Sequence, residues 1–135
     1  IQETPYPSEK IADILVNVAK ETNEPMTKQS AWLAAGVIVR GIVSQNVQQH
    51  QLIRQDTRQI KQKYTKVFMN LFEQSETTYE KILALKTLGN AGIDLSVNEI
   101  NTIINDHRQP MIVRREAVDC LRLLDNVMPL KIQRV

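Results

Sequence analysis

Seven residues of segment 80–90 return 36 positions later. Glu80, Ile82, Ala84, Leu85, Lys86, Leu88 and Asn90 recur as Glu116, Val118, Cys120, Leu121, Arg122, Leu124 and Asn126, identical or conservatively exchanged. Each unit holds one helix, a turn, a second helix and another turn. A single unit of this kind cannot bury its own apolar face, so such units stack on their neighbours as an α-solenoid. The repeat therefore predicts an all-α fold of HEAT-like antiparallel helix pairs, with 1–135 as one domain. Within it, 1–25 holds an N-terminal helix, 26–75 longer helices with a polar connection, and 76–135 two helix-pair repeats.

The rest of the chain is read by the same 3.6-residue period, since no stretch alternates like a strand. Pro5 and Pro7 precede Ser8, an expected N-cap. Ile11, Ile14, Leu15, Val18 and Ala19 then form one stripe, and Asn23 and Pro25 end that helix. Thr27 is the expected cap of the next helix. Trp32, Leu33, Ala35, Val37, Ile38 and Val39 make it apolar nearly all round, so it is expected to be buried on more than one side. Gly36 and Gly41 offer thin places where a neighbouring backbone can come close. From Gln45 to Gln62 the composition turns to Gln, His, Arg and Lys, predicting a polar connection into a long helix carrying Ile60, Tyr64, Val67, Phe68, Leu71 and Phe72.

Two capping boxes, Thr77 with Glu80 and Ser96 with Glu99, open the helices that follow. The second carries Ile100, Ile103 and Ile104. Pro110 lies near the start of another helix, with Val113, Ala117, Val118, Leu121 and Leu124 on its face. Met128-Pro129 begins a further one, where the missing N–H of proline does no harm. The helix 83–91 runs into Gly-Asn-Ala-Gly. A glycine at C′ tolerates the left-handed conformation that a sharp helix-to-helix turn commonly requires, and Gly92 is read as that cap. Gly89 is read as a point of close helix approach or a loosened final turn, with Ala84 and Ala91 serving the same packing.

At 42% apolar and 24% charged residues the chain has the composition of a folded soluble domain, and 135 residues suffice for a real core. Seventeen basic against fifteen acidic residues leave a net charge of +2, which predicts no strong phosphate-backbone binding and no nucleic-acid partner. The apolar run Ala31–Val43 is interrupted by Arg40 and is too short to span a bilayer. The opening Ile-Gln-Glu and closing Gln-Arg-Val read as the ends of an excised piece, and no signal peptide is visible.

The chemistry-bearing residues are few. His50 and His107 lie far apart, without a partner at metal-ligand spacing, so both read as solvated and no metal site is assigned. Cys120 shares a helix with Val118 and Leu121 and reads as a small buried hydrophobe. A lone cysteine excludes an internal disulfide framework, while its pairing in a longer parent stays open. Ser30, Ser44, Ser75 and Ser96 lack a nucleophile-elbow context, and Gly-Asn-Ala-Gly follows a helix where a phosphate-binding loop would follow a strand. No catalytic residue and no cofactor are assigned. Arg54, Arg58 and Lys61 form a basic stripe flanked by Lys63 and Lys66, open to an anionic partner or to water. Arg114 and Arg115 open their helix at its positive end, where the dipole alone favours acids. A structural role is expected there, with Glu116 paired to the preceding layer.

The stretch ILALKTLGNAGIDLSVNEINTIIND, followed by PMIVRREAVDCLRLLDNVMPLKIQRV, resembles the helical domain of the large lipid transfer proteins. That family includes vitellogenins, apolipophorins, apolipoprotein B and the microsomal triglyceride transfer protein. The likeness rests on Ala-Leu-Lys-x-Leu-Gly-Asn-Ala-Gly at Ala84–Gly92, and on Val113, Arg114, Ala117, Val118, Leu121 and Arg122. Cys120 replaces the family's usual alanine. The likeness is good over 79–135, weaker over 26–78 and slight before that, and MPLKIQRV is most similar to vitellogenins.

The resemblance implies a two-layer right-handed α-superhelix, part of a secreted lipoprotein whose signal peptide lies in the parent. It implies phospholipid and neutral lipid as cargo of that parent, neighbouring domains as partners, a yolk nutrient-reservoir role, and little transport activity for residues 1–135 alone. A homodimer of the parent is left open. In such a domain some apolar surface is left over for lipid or for adjoining β-sheets. Trp32, Val37, Ile38 and Val39 are the candidates, with ordinary core burial as the alternative. Other readings kept open are a lipophorin or triglyceride-transfer domain, and a HEAT-like protein scaffold that never meets lipid.

Overall fold

The computed structural model describes residues 7–49 and 54–127. Among the described residues there are six α-helices and no strand: α1 Pro7–Glu21, α2 Pro25–Gln49, α3 Arg54–Glu73, α4 Thr78–Ala91, α5 Val97–Asn105 and α6 Met111–Val127. A 3-10 turn, Asp94–Ser96, leads into α5. α1 packs on α2, α3 on α4 and α5 on α6, while α2, α4 and α6 also pack on one another in that order. The result is one layer of α2, α4 and α6 and a second of α1, α3 and α5, the stacked helix pairs that the repeat requires. The helix foreseen at Met128-Pro129, and with it the second half of the second repeat, lies outside the described residues.

Large side chains from five helices fill the space between the layers. Trp32, Tyr64, Phe68, Leu85, Leu88, Ile100 and Leu124 are fully buried, as is Ile93 in the turn after α4. Each contributes on the order of 1.5–3 kcal/mol by leaving water. The Trp32 ring meets Phe68 edge-on at 6.2 Å between centroids, and Tyr64 lies tilted against Phe68 at 5.9 Å. α2 and α4 are the interior helices, which is why neither shows a clean amphipathic stripe in sequence.

The helix ends follow local chemistry, with several departures from the sequence reading. α1 is described from Pro7, so Ser8 lies within the helix rather than at the N-cap position expected for it. At α2 the cap is Glu24 rather than Thr27. Its carboxylate accepts the Thr27 N–H at 2.9 Å, and its own N–H donates to Thr22 Oγ1 at 3.1 Å. Pro25, as first helical residue, sets the entry one turn earlier than Thr27 would. Most of the polar connection expected over 45–62 is helix instead: 45–49 continue α2 and 54–62 belong to α3, while 50–53 lie outside the described residues. Gln, Arg and Lys are good helix formers, so polarity without Gly or Pro does not end a helix.

At α4 the Thr77 hydroxyl accepts the Glu80 N–H at 3.1 Å, while the Glu80 carboxylate reaches the Glu76 N–H at 3.4 Å rather than that of Thr77. Ser96 makes no capping bond. It has helical dihedrals, φ −84° and ψ −1°, and its hydroxyl donates to the Ile93 carbonyl at 2.7 Å. The 3-10 turn has already started the coil at Asp94, and Ile93 takes the extended conformation that a cap residue would have.

Candidate functional site

The α2–α4–α6 layer is built on two glycines that accept the same repeat position of the next helix. A Cβ placed on Gly36 would stand 2.6 Å from the Thr87 carbonyl oxygen and 3.0 Å from the Asn90 Cβ. A Cβ on Gly89 would stand 2.7 Å from Leu123 Cδ1 and 3.5 Å from Cys120 Sγ. Thr87 and Leu123 are equivalent residues of the 36-residue repeat, so each inner helix presses one repeat position onto a glycine of its predecessor. Gly41 differs from its expected role, since among the described residues nothing lies within 4 Å of a Cβ built there. Gly92 has φ 62° and gives its N–H to the carbonyls of Leu88 and Gly89, which turns the chain out of α4.

Polar ties hold the layers in register. Each repeat glutamate reaches a lysine of the preceding inner helix, Glu80 to Lys28 at 3.5 Å and Glu116 to Lys86 at 3.6 Å. Arg114 donates its Nε–H to the Ile104 carbonyl at 2.7 Å, satisfying the C-terminal end of α5. That contact explains a cation in the first turn of α6. Between α1 and α3 the Tyr64 hydroxyl donates to Asp13 Oδ1 at 2.5 Å, and Lys63 Nζ bridges Glu9 and Asp13 at 3.1 Å each.

These ties consume much of the basic stripe. Lys61 is paired with Asp94 at 2.9 Å, and Lys63 with the two acids of α1. Arg58 is exposed, and the Arg54 side chain lies outside the described residues. The opposition came from acids distant in sequence, which spacing within one helix does not reveal. His107 is exposed in the turn between α5 and α6, and His50 lies outside the described residues. Among the described residues no three His, Cys, Asp or Glu side chains gather as a metal site. Cys120 is buried, and burial together with the charge of Glu116 pushes its thiol up to about 12, far from a nucleophilic thiolate at neutral pH.

The apolar candidates separate sharply. Trp32, 2% exposed, and Val39 belong to the core, which corrects the expectation that they face lipid or a neighbouring domain: α2 is enclosed by α1, α3 and α4. Ile38 is partly covered, and Val37 stays 57% exposed. A surface that spacing alone assigned to the core is found on α1. Ala12, Val16 and Ala19 face inward, while Ile11, Ile14 and Val18 stand 47%, 60% and 40% exposed. Positions 11, 14 and 18 form one row along a helix. Small residues on the opposite row let α1 lie close to α2, and the alanines were the available signal. At the other end of the layers Met111 and Ile112 of α6 are also exposed. No helix of the described residues is long and apolar enough to cross a membrane.

Comparison with known proteins agrees with this architecture. The family described as Vitellogenin TPR domain matches residues 1–135. Vitellogenin-2 and Vitellogenin-5 of Caenorhabditis elegans are 55% and 59% identical to this chain over its whole length. Vitellogenin-6 of Oscheius tipulae is 37% identical, again over 100% of the chain. The chain spans 8% of the length of the two Caenorhabditis proteins and 9% of the third. No solved structure matches. With two stacked helical layers, a glycine-seated repeat and a match over every residue, the chain belongs to the vitellogenin helical-domain family.

Proposed function

We propose that this chain is an architectural segment of a larger, secreted lipid-transport and yolk-storage protein. It is one stretch of a curved helical wall that helps enclose lipid and contacts neighbouring domains of its parent. The observation that carries the reading is the outward row Ile11, Ile14 and Val18, laid along a helix whose inward face is built of alanine and valine. An aliphatic row on a surface marks a contact face. The chain spans 8% of relatives named vitellogenins, so a parent of that kind has ample material to cover it. The role proposed is architectural rather than catalytic, and the single thiol, Cys120, is buried and pushed up to about 12. Residues 1–135 alone carry little transport activity in this reading.

The test is lipid extraction and mass spectrometry of the intact parent purified without detergent. Phospholipid and neutral lipid in stoichiometric excess over protein are expected. An empty parent would contradict lipid carriage and favour a protein-binding scaffold.

A further inference from the structure

The two glycine seats fix one register across the inner helices. Equating Gly36 of α2 with Gly89 of α4 equates Thr87, which presses on Gly36, with Ala34, and Ala91 with Ile38. In α4 both positions are closed, Thr87 being 0% and Ala91 1% exposed. In α2, Ala34 and Ile38 are only half-buried. Gly41, one turn beyond Ile38 on the same row, is exposed, and among the described residues nothing lies within 4 Å of a Cβ built on it. The row lies on the side of α2 that a preceding inner helix takes in this register, and it is open.

α1 has the same property in the other layer. Its Asp13 faces α3, where it is bonded by Lys63 and Tyr64. Ile11 and Val18 stand two residues before and five after Asp13. At about 3.6 residues per turn that spacing points them away from α3, and they are 47% and 40% exposed. α1 packs on α2, so both layers finish in an unpartnered apolar edge at the same end of the stack.

We propose that this end receives a further helix pair of the parent, its inner helix lying on Ala34, Ile38 and Gly41 and its outer helix on Ile11 and Val18. The inference rests on the reading of the chain as one stretch of a longer helical wall, and it names what covers the open end. The new contact continues, in the same register, those already built between α2 and α4 and between α4 and α6. A stacked helix unit cannot bury its terminal face alone, and a neighbouring repeat covers it. Ala34 is smaller than Thr87 or Leu123, and Gly41 has no side chain, so a backbone can approach this row closely. Acyl chains have no need of small residues set in the register of a helix seat, which favours a helix over lipid as the occupant. The chain fills 8% of the length of its vitellogenin relatives, so a parent of that size has ample sequence to supply the pair.

The test is photo-crosslinking in the intact lipid-loaded parent. A diazirine-bearing aliphatic amino acid replaces Ile11 and, in a second variant, Val18, and the products are mapped by proteolysis and mass spectrometry. Each position is expected to join a peptide of the same polypeptide outside residues 1–135, with the same product when lipid is extracted before irradiation. Adducts carrying lipid alone would overturn the helix pair and leave lipid enclosure standing. Joining only within residues 1–135, to a second copy of the polypeptide, or to nothing would also overturn it. An empty parent that still gives the peptide product would undo lipid carriage and leave the helix pair in place.

The inner half is read separately by hydrogen exchange. Gly41→Leu in the parent should speed amide exchange in α2 about tenfold, the scale of a side chain forced into a packed contact. Unchanged exchange would mean that Gly41 faces open space in the whole protein, and would overturn the proposal.

Discussion

Gly36 of α2 lies directly beneath the carbonyl of Thr87 in α4, so close that a single added methyl would stand 2.6 Å from the oxygen. Because the opposing atom is backbone, no rotamer change relieves the contact and one helix must move. Gly36→Ala is expected to destabilise the chain by about 1–3 kcal/mol, in spite of the better helix propensity of alanine. Gly89→Ala meets the end of a leucine side chain and is expected to be milder. Gly41→Ala enters open space within a helix and should stabilise by about 0.5–1 kcal/mol. Urea denaturation of the three variants gives the ranking.

Gly92→Ala places a Cβ at φ 62° and should cost about 1–2 kcal/mol, the penalty of the left-handed region for an L side chain. Gly92→Asn should recover part of the loss, since asparagine tolerates that region better. Equal unfolding midpoints for alanine and asparagine at this position would argue against the left-handed cap.

The repeat, the all-helical class and the glycine turn were legible because each depends on local spacing or on a single residue's backbone freedom. The facing of α1 was not. Its apolar residues fill more than one row, and only contact with α2 decides that the Ala12–Val16–Ala19 row goes inward. Nor could the fate of Lys61 and Lys63 be read, since Asp94, Glu9 and Asp13 reach them from other helices. Polar composition in 45–62 suggested a loop, yet those residues favour helix unless glycine or proline intervenes. Trp32 and Val39 were candidates for surface contact because their helix is apolar all round, a pattern that also marks a helix enclosed by three others.

Alkaline pH should unfold the chain in a defined sense. Burial, with the nearby Glu116 charge, raises the Cys120 thiol to about 12, while an unfolded thiol titrates near about 8.5. Burial and the Asp13 hydrogen bond likewise raise Tyr64 above its ordinary value of about 10. Burial would lower Lys63, but its bonds to Asp13 and Glu9 outweigh this and raise it. All three contributions are fully present below the unfolded pKa values and are lost as pH rises. Stability should therefore be steady near neutrality and fall above about pH 8.5, by up to about 1.4 kcal/mol per pH unit for each fully titrating buried group. Cys120→Ala should remove the earliest part of the fall, as read by chemical denaturation at a series of pH values.

The Tyr64–Asp13 bond ties α1 to α3 across the outer layer. Tyr64→Phe and Asp13→Asn should each destabilise, and the double variant should lose less than their sum. A coupling energy of about 1–3 kcal/mol is expected from the double-mutant cycle. Strict additivity would mean that the bond contributes nothing to holding the layers together.

The wall reading turns on what covers the row Ile11, Ile14 and Val18. Hydroxyl-radical footprinting with mass spectrometry, run on the 135-residue chain and on the intact lipid-loaded parent, measures this directly. Strong oxidation of these three side chains in the isolated chain and protection of all three in the parent is the expected result. Equal oxidation in both would leave the row facing water in the whole protein and would contradict its place in an enclosed wall.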